Sequence, residues 1–161
     1  MTKDPGEAMP VHGGRTWVLA AVLCVALAAC GGGAEPGSET SVFRIRPGDC
    51  FNDPPAERQL DQVDVVRCDQ PHDNEVFAAI EHPAAPEEPF PGRDALVGYA
   101  EQGCPEPFAD YVGATYDQSR FSLFPIVPSA DTWAKGDRQI ICALYDHRAG
   151  KLTGSVRGSG Q

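Results

Sequence analysis

Basic residues are scarce in this chain of 161: 13 Lys and Arg stand against 23 Asp and Glu, a net charge of −10. Such a charge repels phosphate backbones and anionic surfaces, which argues against nucleic acid as a partner. No apolar stretch reaches the ~20 residues of a membrane-spanning helix. The run TWVLAAVLCVALAA, residues 16–29, has fourteen. CxxC pairs are missing, and Cys50, Cys68, Cys104 and Cys142 lie eighteen or more positions apart, so the spacing of a closed zinc site is absent. No serine occupies a GxSxG elbow, which leaves Ser122, Ser129, Asp131 and His147 as loose candidates for a Ser-His-Asp set. GGG at 31–33 has no strand before it and no lysine after it, so it is a linker and not a phosphate loop. No internal repeat occurs.

What is present begins with export. The fourteen-residue run follows Arg15 and has the length of a signal-peptide h-region. Leu27-Ala28-Ala29-Cys30 follows at once and resembles a bacterial lipobox, which implies cleavage after Ala29 and lipidation of Cys30, palmitate included. Asp4 and Glu7 dilute the positive charge of the n-region, and a start at Met9 would remove both acids. Losing residues 1–29 removes Lys3, Arg15, Asp4 and Glu7, two charges of each sign, so the exported part keeps the whole −10. Residues 30–41 then read as the lipidated cysteine and a Gly/Ser-rich tether with a reach on the order of 20 Å. The folded domain is expected over 42–157, with 158–161 a tail.

With forty-two per cent hydrophobic residues, this domain has material for one core. VFRIR at 42–46 alternates and predicts a strand with Phe43 and Ile45 inward, turned by Pro47-Gly48. VDVVRC at 63–68 and NEVFAAIEH at 74–82 predict two more strands. The second is apolar on both faces, Val76/Ala78/Ile80 against Phe77/Ala79. HPAAPEEPFPG, 82–92, reads as an extended loop. Leu96, Ala100, Cys104, Phe108 and Val112 form an i, i+4 ladder that Pro105 interrupts, which predicts one helix to about Gly103 and another from Pro105 to Val112, stopped by Gly113. FSLFPIV, 121–127, is an edge strand because of Pro125. ADTWAKG predicts a single helical turn capped by Asp131 and stopped by Gly136. QIICALYD, 139–146, is the expected central strand, and LTGSV at 152–156 could close the sheet. The sum is an α+β fold: a small, mostly antiparallel sheet of four to six strands, one or two short helices against one face, and two disulfides.

Four cysteines in an oxidising compartment allow three connectivities. Cys50–Cys68 with Cys104–Cys142 is favoured, because each partner then lies on or beside a neighbouring element.

Gly48-Asp49-Cys50-Phe51, Cys68 followed by Pro71-His72 and Glu75-Val76, Cys104, and Trp133 with Gly136-Asp137-Arg138 leading to Cys142 form an ordered set over about 42–157. In this order and spacing the chain resembles the actinobacterial septum-formation-related domain family. The resemblance implies an extracytoplasmic module of membrane-associated proteins, tied by name to septum formation and cell division, with no enzymatic activity to carry over. Many members use transmembrane helices where this chain has a lipobox.

CDQPHDNEVF, 68–77, is the densest polar cluster. His72 and Glu75 could be metal ligands of an envelope hydrolase, but two residues fall short of the three ligands of a catalytic zinc. The plainer expectation is a corner: Pro71 sets the backbone, Asp69 and Asn74 satisfy turn amides, and His72 bonds across to the neighbouring strand. Trp133 is expected in the core rather than as an exposed binding aromatic, and Asp137 is expected to pair with an arginine. The sequence therefore points to a non-enzymatic module without cofactor or metal, lipid-anchored on the outer face of the cell membrane, where it binds a protein or cell-wall partner.

Overall fold

The computed structural model describes residues 36–55 and 62–161. Cys30 and the expected signal peptide lie outside them.

The apolar ladder forms one continuous buried stripe: Leu96, Ala100, Cys104, Phe108 and Val112 are all fully inaccessible. It runs along α1 (Arg93–Gly103) and α2 (Pro105–Val112). Cys104 joins the two helices and keeps helical dihedrals. Its N–H donates to the Ala100 carbonyl and its own carbonyl accepts from Phe108 N–H, so the stripe survives the proline. Pro105 stands at N1, where no intrahelical donor is needed, and Gly113 ends α2 at φ +84°, a left-handed position that favours glycine.

Six antiparallel strands make one sheet: β1 (Ser38–Ser41), β2 (Cys50–Asn52), β3 (Gln62–Val66), β4 (Asn74–Glu81), β5 (Ser122–Ile126) and β6 (Gln139–Tyr145), in the order β1-β3-β2-β4-β6-β5. β6 is buried on both faces as expected, but it lies next to the edge and the centre is held by β2 and β4; β5, with its proline, is an edge. Alternation along β6 separates two cores. Ile140, Cys142 and Leu144 face the helical stripe with Phe77 and Trp133. Ile141 and Ala143 face Val42, Ile45, Phe51, Val63 and Val65. Both expected disulfides are present: Cys50–Cys68 with Cα atoms 5.3 Å apart, and Cys104–Cys142 at 6.0 Å, the latter tying the helix junction to β6.

Several expectations are corrected. VFRIR is not a strand: Val42–Arg44 is a 3₁₀ turn. Three residues per turn bring Val42 and Ile45, not Phe43 and Ile45, to one side, so Phe43 points out. Ser38–Ser41, read as tether, pairs antiparallel with β3, and SETS has no apolar residue to mark it as a strand. β2 is three residues long and was not anticipated. A register shift between Val76 and Ala78 puts Phe77 on the helix face with Ala78 and Ile80, leaving Val76 on the other. The cap of α3 (Ala130–Trp133) is Ser129, not Asp131. Ser129 Oγ accepts from Thr132 N–H at 3.2 Å, and Thr132 Oγ1 accepts from Ser129 N–H at 3.0 Å. LTGSV adds only a bridge between Leu152 and His72, since Gly154 turns at φ +88° and Val156 N–H is drawn to the Glu75 side chain. Residues 158–161 are bound: Gly158 and Gly160 N–H donate to the Tyr111 and Val112 carbonyls at the end of α2, each at 2.8 Å.

Candidate functional site

Pro71 turns the chain into β4 and buries His72, Asn74 and Glu75 within four positions. His72 exchanges both backbone bonds with Leu152, at 3.0 and 2.8 Å, an isolated bridge to the C-terminal segment rather than the expected bond to a neighbouring strand. Its ring stays in its own corner: Nδ1 lies 2.8 Å from the Gln70 carbonyl, which fixes Nδ1 as the donor. Nε2 is buried without a hydrogen-bond partner.

Asp69 and Asn74 do not serve the turn amides. Asp69 faces solvent, where Arg67 bonds it at 2.6 and 3.0 Å. Hydrogen bonds from Arg67 and then Gln70 hold its carboxyl below the usual range. Asn74 Nδ2 instead donates to Asp53 at 2.7 Å. Asp73 takes the amide role, accepting from Asp53 N–H at 3.0 Å and from Lys151 at 2.7 Å.

Glu75 is the centre of the arrangement. Its Oε1 accepts from the Tyr111 hydroxyl at 2.6 Å and the Ser155 hydroxyl at 2.5 Å, and its Oε2 accepts from Val156 N–H at 2.8 Å. One buried carboxylate thereby joins β4, α2 and the C-terminal segment, and its charge strengthens each bond. Burial first, and then the bond to Glu75, push the Tyr111 phenol up to about 12. Neither Tyr111 nor Ser155 is suggested by the sequence, since they lie 36 and 80 positions from Glu75.

Cys50, His72 and Glu75 bring their ligand atoms within 4.8 Å of one another, a grouping with the right chemistry for a metal. Its donors are committed, however. Cys50 Sγ is in the disulfide and both Glu75 oxygens accept protein hydrogens, so His72 Nε2 is the one uncommitted donor atom of the trio.

The serine candidates separate as well. Ser122 Oγ and His147 Nδ1 lie 3.2 Å apart on an exposed surface. Asp131 is not brought to them by any contact described, and Ser129 is used as a helix cap. The neighbouring Asp146 is engaged elsewhere, by Arg148 and Ala149 N–H at 2.9 and 3.1 Å and by Arg120 at 3.3 Å. Burial pushes its carboxyl up, but these amides and the Arg120 charge outweigh it and hold the group below its usual value.

Trp133 is in the core, 2% exposed, and its Nε1–H donates to the Glu88 carbonyl at 2.8 Å. The residue that sequence reasoning undervalued is Arg138. Its guanidinium lies 3.6 Å over the Trp133 ring and donates to five carbonyls: Ala84, Ala85, Pro86, Trp133 and Asp137. This clamp fixes the proline-rich loop at 82–92. Asp137 accepts from Gln139 N–H rather than from an arginine.

The chain is 31% identical over 119 residues to the candidate lipoprotein LppN of Mycobacterium tuberculosis strain H37Rv, and equally to its counterpart in Mycobacterium bovis. The alignment takes in 71% of this chain and 63% of either relative, so the chain spans less than two thirds of their length. No solved structure matches it. The family described as "Septum formation" matches residues 47–161, the span that holds both disulfides, the His72 corner, the Glu75 clasp and the Trp133–Arg138 clamp. The chain belongs to the septum-formation family.

Proposed function

We propose that this chain is an exported module, lipid-anchored through Cys30 to the outer face of the cell membrane, that acts by binding and not by catalysis. Its partner is a protein or cell-wall component linked to septum formation or cell-wall processes. Membership of the family, the lipoprotein description of the mycobacterial relatives, and the h-region ending at Leu27-Ala28-Ala29-Cys30 support the setting. One observation carries the non-enzymatic reading: the polar side chains gathered at the His72 corner, and Ser129, are used in holding the fold, and the exposed Ser122–His147 pair has no acid brought to it by any contact described. Glu75 accepts from three donors, Cys50 is in a disulfide, and Ser129 caps a helix. A hydrolase working through His72 and Glu75 would need a carboxylate free to take a proton or a metal, and here three protein donors already hold that carboxylate.

Cross-linking in intact cells, followed by pull-down of the tagged full chain from membranes, tests this reading. It expects envelope or division proteins to be recovered, and palmitate labelling to be lost in Cys30→Ala. Recovery of none, with labelling unchanged by the substitution, would overturn it.

A further inference from the structure

Phe43 is 41% exposed, and it is the exposed large hydrophobic residue among those described. Its position is built and not frayed. Val42 and Ile45 anchor the 3₁₀ turn on either side at 1% and 0% exposure, and Arg46 Nη1 clamps it by donating to the Phe43 and Ile45 carbonyls at 3.2 and 2.9 Å. Two open hollows adjoin at this side chain. One, of about 460 Å³, is walled by Phe90, Phe124, Pro125, Val127 and Pro128, with Arg93 as its charged residue. The other, of about 420 Å³, is walled by Arg46, Lys135, Asp137 and Gln139. Phe43 and Thr132 line both, so the pair reads as one groove with an apolar half and a polar half.

The charge of this groove runs against that of the chain. Among the lining residues Arg46, Arg93 and Lys135 face one acid, Asp137, whose Oδ1 is already bonded by Gln139 N–H; beside the groove Asp49 accepts from Arg46 N–H at 2.8 Å, and the whole chain carries −10. A cationic groove in an acidic surface selects an anionic occupant, while the net charge of −10 on each copy opposes self-association. Its concavity and its apolar half suit a side chain inserted from an extended backbone. Strand addition is not the mode, because the free edge of β5 is short of donors: Leu123 N–H is given to the Tyr116 hydroxyl at 3.2 Å and Pro125 has none.

We infer that this groove receives an extended segment of a partner polypeptide, with an apolar side chain in the Phe124–Pro128 half and acidic side chains toward Arg46 and Lys135. The inference rests on the binding reading above and names its surface and the chemistry of its occupant.

Two experiments test it. In fluorescence polarisation with the mature chain, labelled ten-residue peptides that join a Leu/Phe block to an Asp/Glu block should bind in a salt-sensitive way, and versions with Lys for Asp/Glu should not. Phe43→Ser and the charge reversal Arg93→Glu with Lys135→Glu should each weaken binding about tenfold, the order expected for one lost apolar anchor or one lost charge set. Because these side chains are exposed, unchanged denaturation midpoints should accompany the loss. Equal binding of both peptide sets, or binding unaffected by the substitutions, would overturn the proposal. So would an effect of Phe43→Ser seen only in co-sedimentation with phosphatidylglycerol vesicles or only in self-association.

In cells, a photo-cross-linking residue is placed at position 43 or at Asp110, on α2 outside the groove. Cross-links from position 43 to a peptide with apolar and acidic residues side by side support the inference. Cross-links to envelope protein from Asp110 alone, or from position 43 to a basic peptide, overturn it and leave the binding reading intact. Cross-links from neither position overturn both.

Discussion

Glu75 is a buried carboxylate whose value to the fold depends on its three donors being in place together. Removing it leaves the buried Tyr111 hydroxyl and Val156 N–H without their acceptor, while the exposed Ser155 can turn to solvent. Glu75→Ala is therefore expected to cost about 3 kcal/mol, and Tyr111→Phe about 1–2 kcal/mol, read by urea denaturation. An effect below half a kilocalorie for Glu75→Ala would mean that the clasp is not formed in solution. Tyr111 also makes a prediction in pH. Its phenol is raised from 10 to about 12, so the folded state keeps a proton that the unfolded chain releases first. The stabilisation is complete below pH 10 and is lost as pH rises toward about 12. Tyr111→Phe should flatten the fall in stability across that window.

Among the elements, the two disulfides differ in what they close. Cys104–Cys142 spans 38 positions and joins the helix junction to β6, while Cys50–Cys68 spans 18 at the sheet's corner. Loop entropy makes the first worth about 4 kcal/mol and the second about 3 kcal/mol. Paired Cys→Ala replacement at 104 and 142 should do the greater damage by more than that difference, because it also opens a void in the helix-side core. A greater loss on replacing Cys50 and Cys68 would reverse this ranking. The helices were legible in the sequence because Leu96 to Val112 repeats at the helical period and Pro105 and Gly113 punctuate it with fixed meanings. The strands were legible where burial is two-sided, as in β6, and failed where the backbone departs from a period of two. Phe43 was misplaced by a 3₁₀ turn, Phe77 by a register shift, and Ser38–Ser41 by having no apolar residue to announce it.

For the molecule as a whole, the Glu75 clasp and the Trp133–Arg138 clamp tie distant segments of the fold together. The sequence could single out His72, Glu75 and Trp133, because buried-strand neighbours and a conspicuous turn mark them. It could not reveal that Tyr111, Ser155 and Val156 converge on Glu75, or that Arg138 clasps three carbonyls more than 50 positions away, because those contacts arise only from the tertiary fold. The exposed groove at Phe43 was hidden for the same reason that Phe43 was read as inward. The most direct measurement of the central claim compares purified full-length protein with His72→Ala for metal content, hydrolytic activity on envelope material and denaturation midpoint. A structural corner predicts a lower midpoint in the variant and neither stoichiometric metal nor hydrolysis in the parent. Tightly bound metal in the parent, lost in the variant together with a hydrolytic activity, would contradict it.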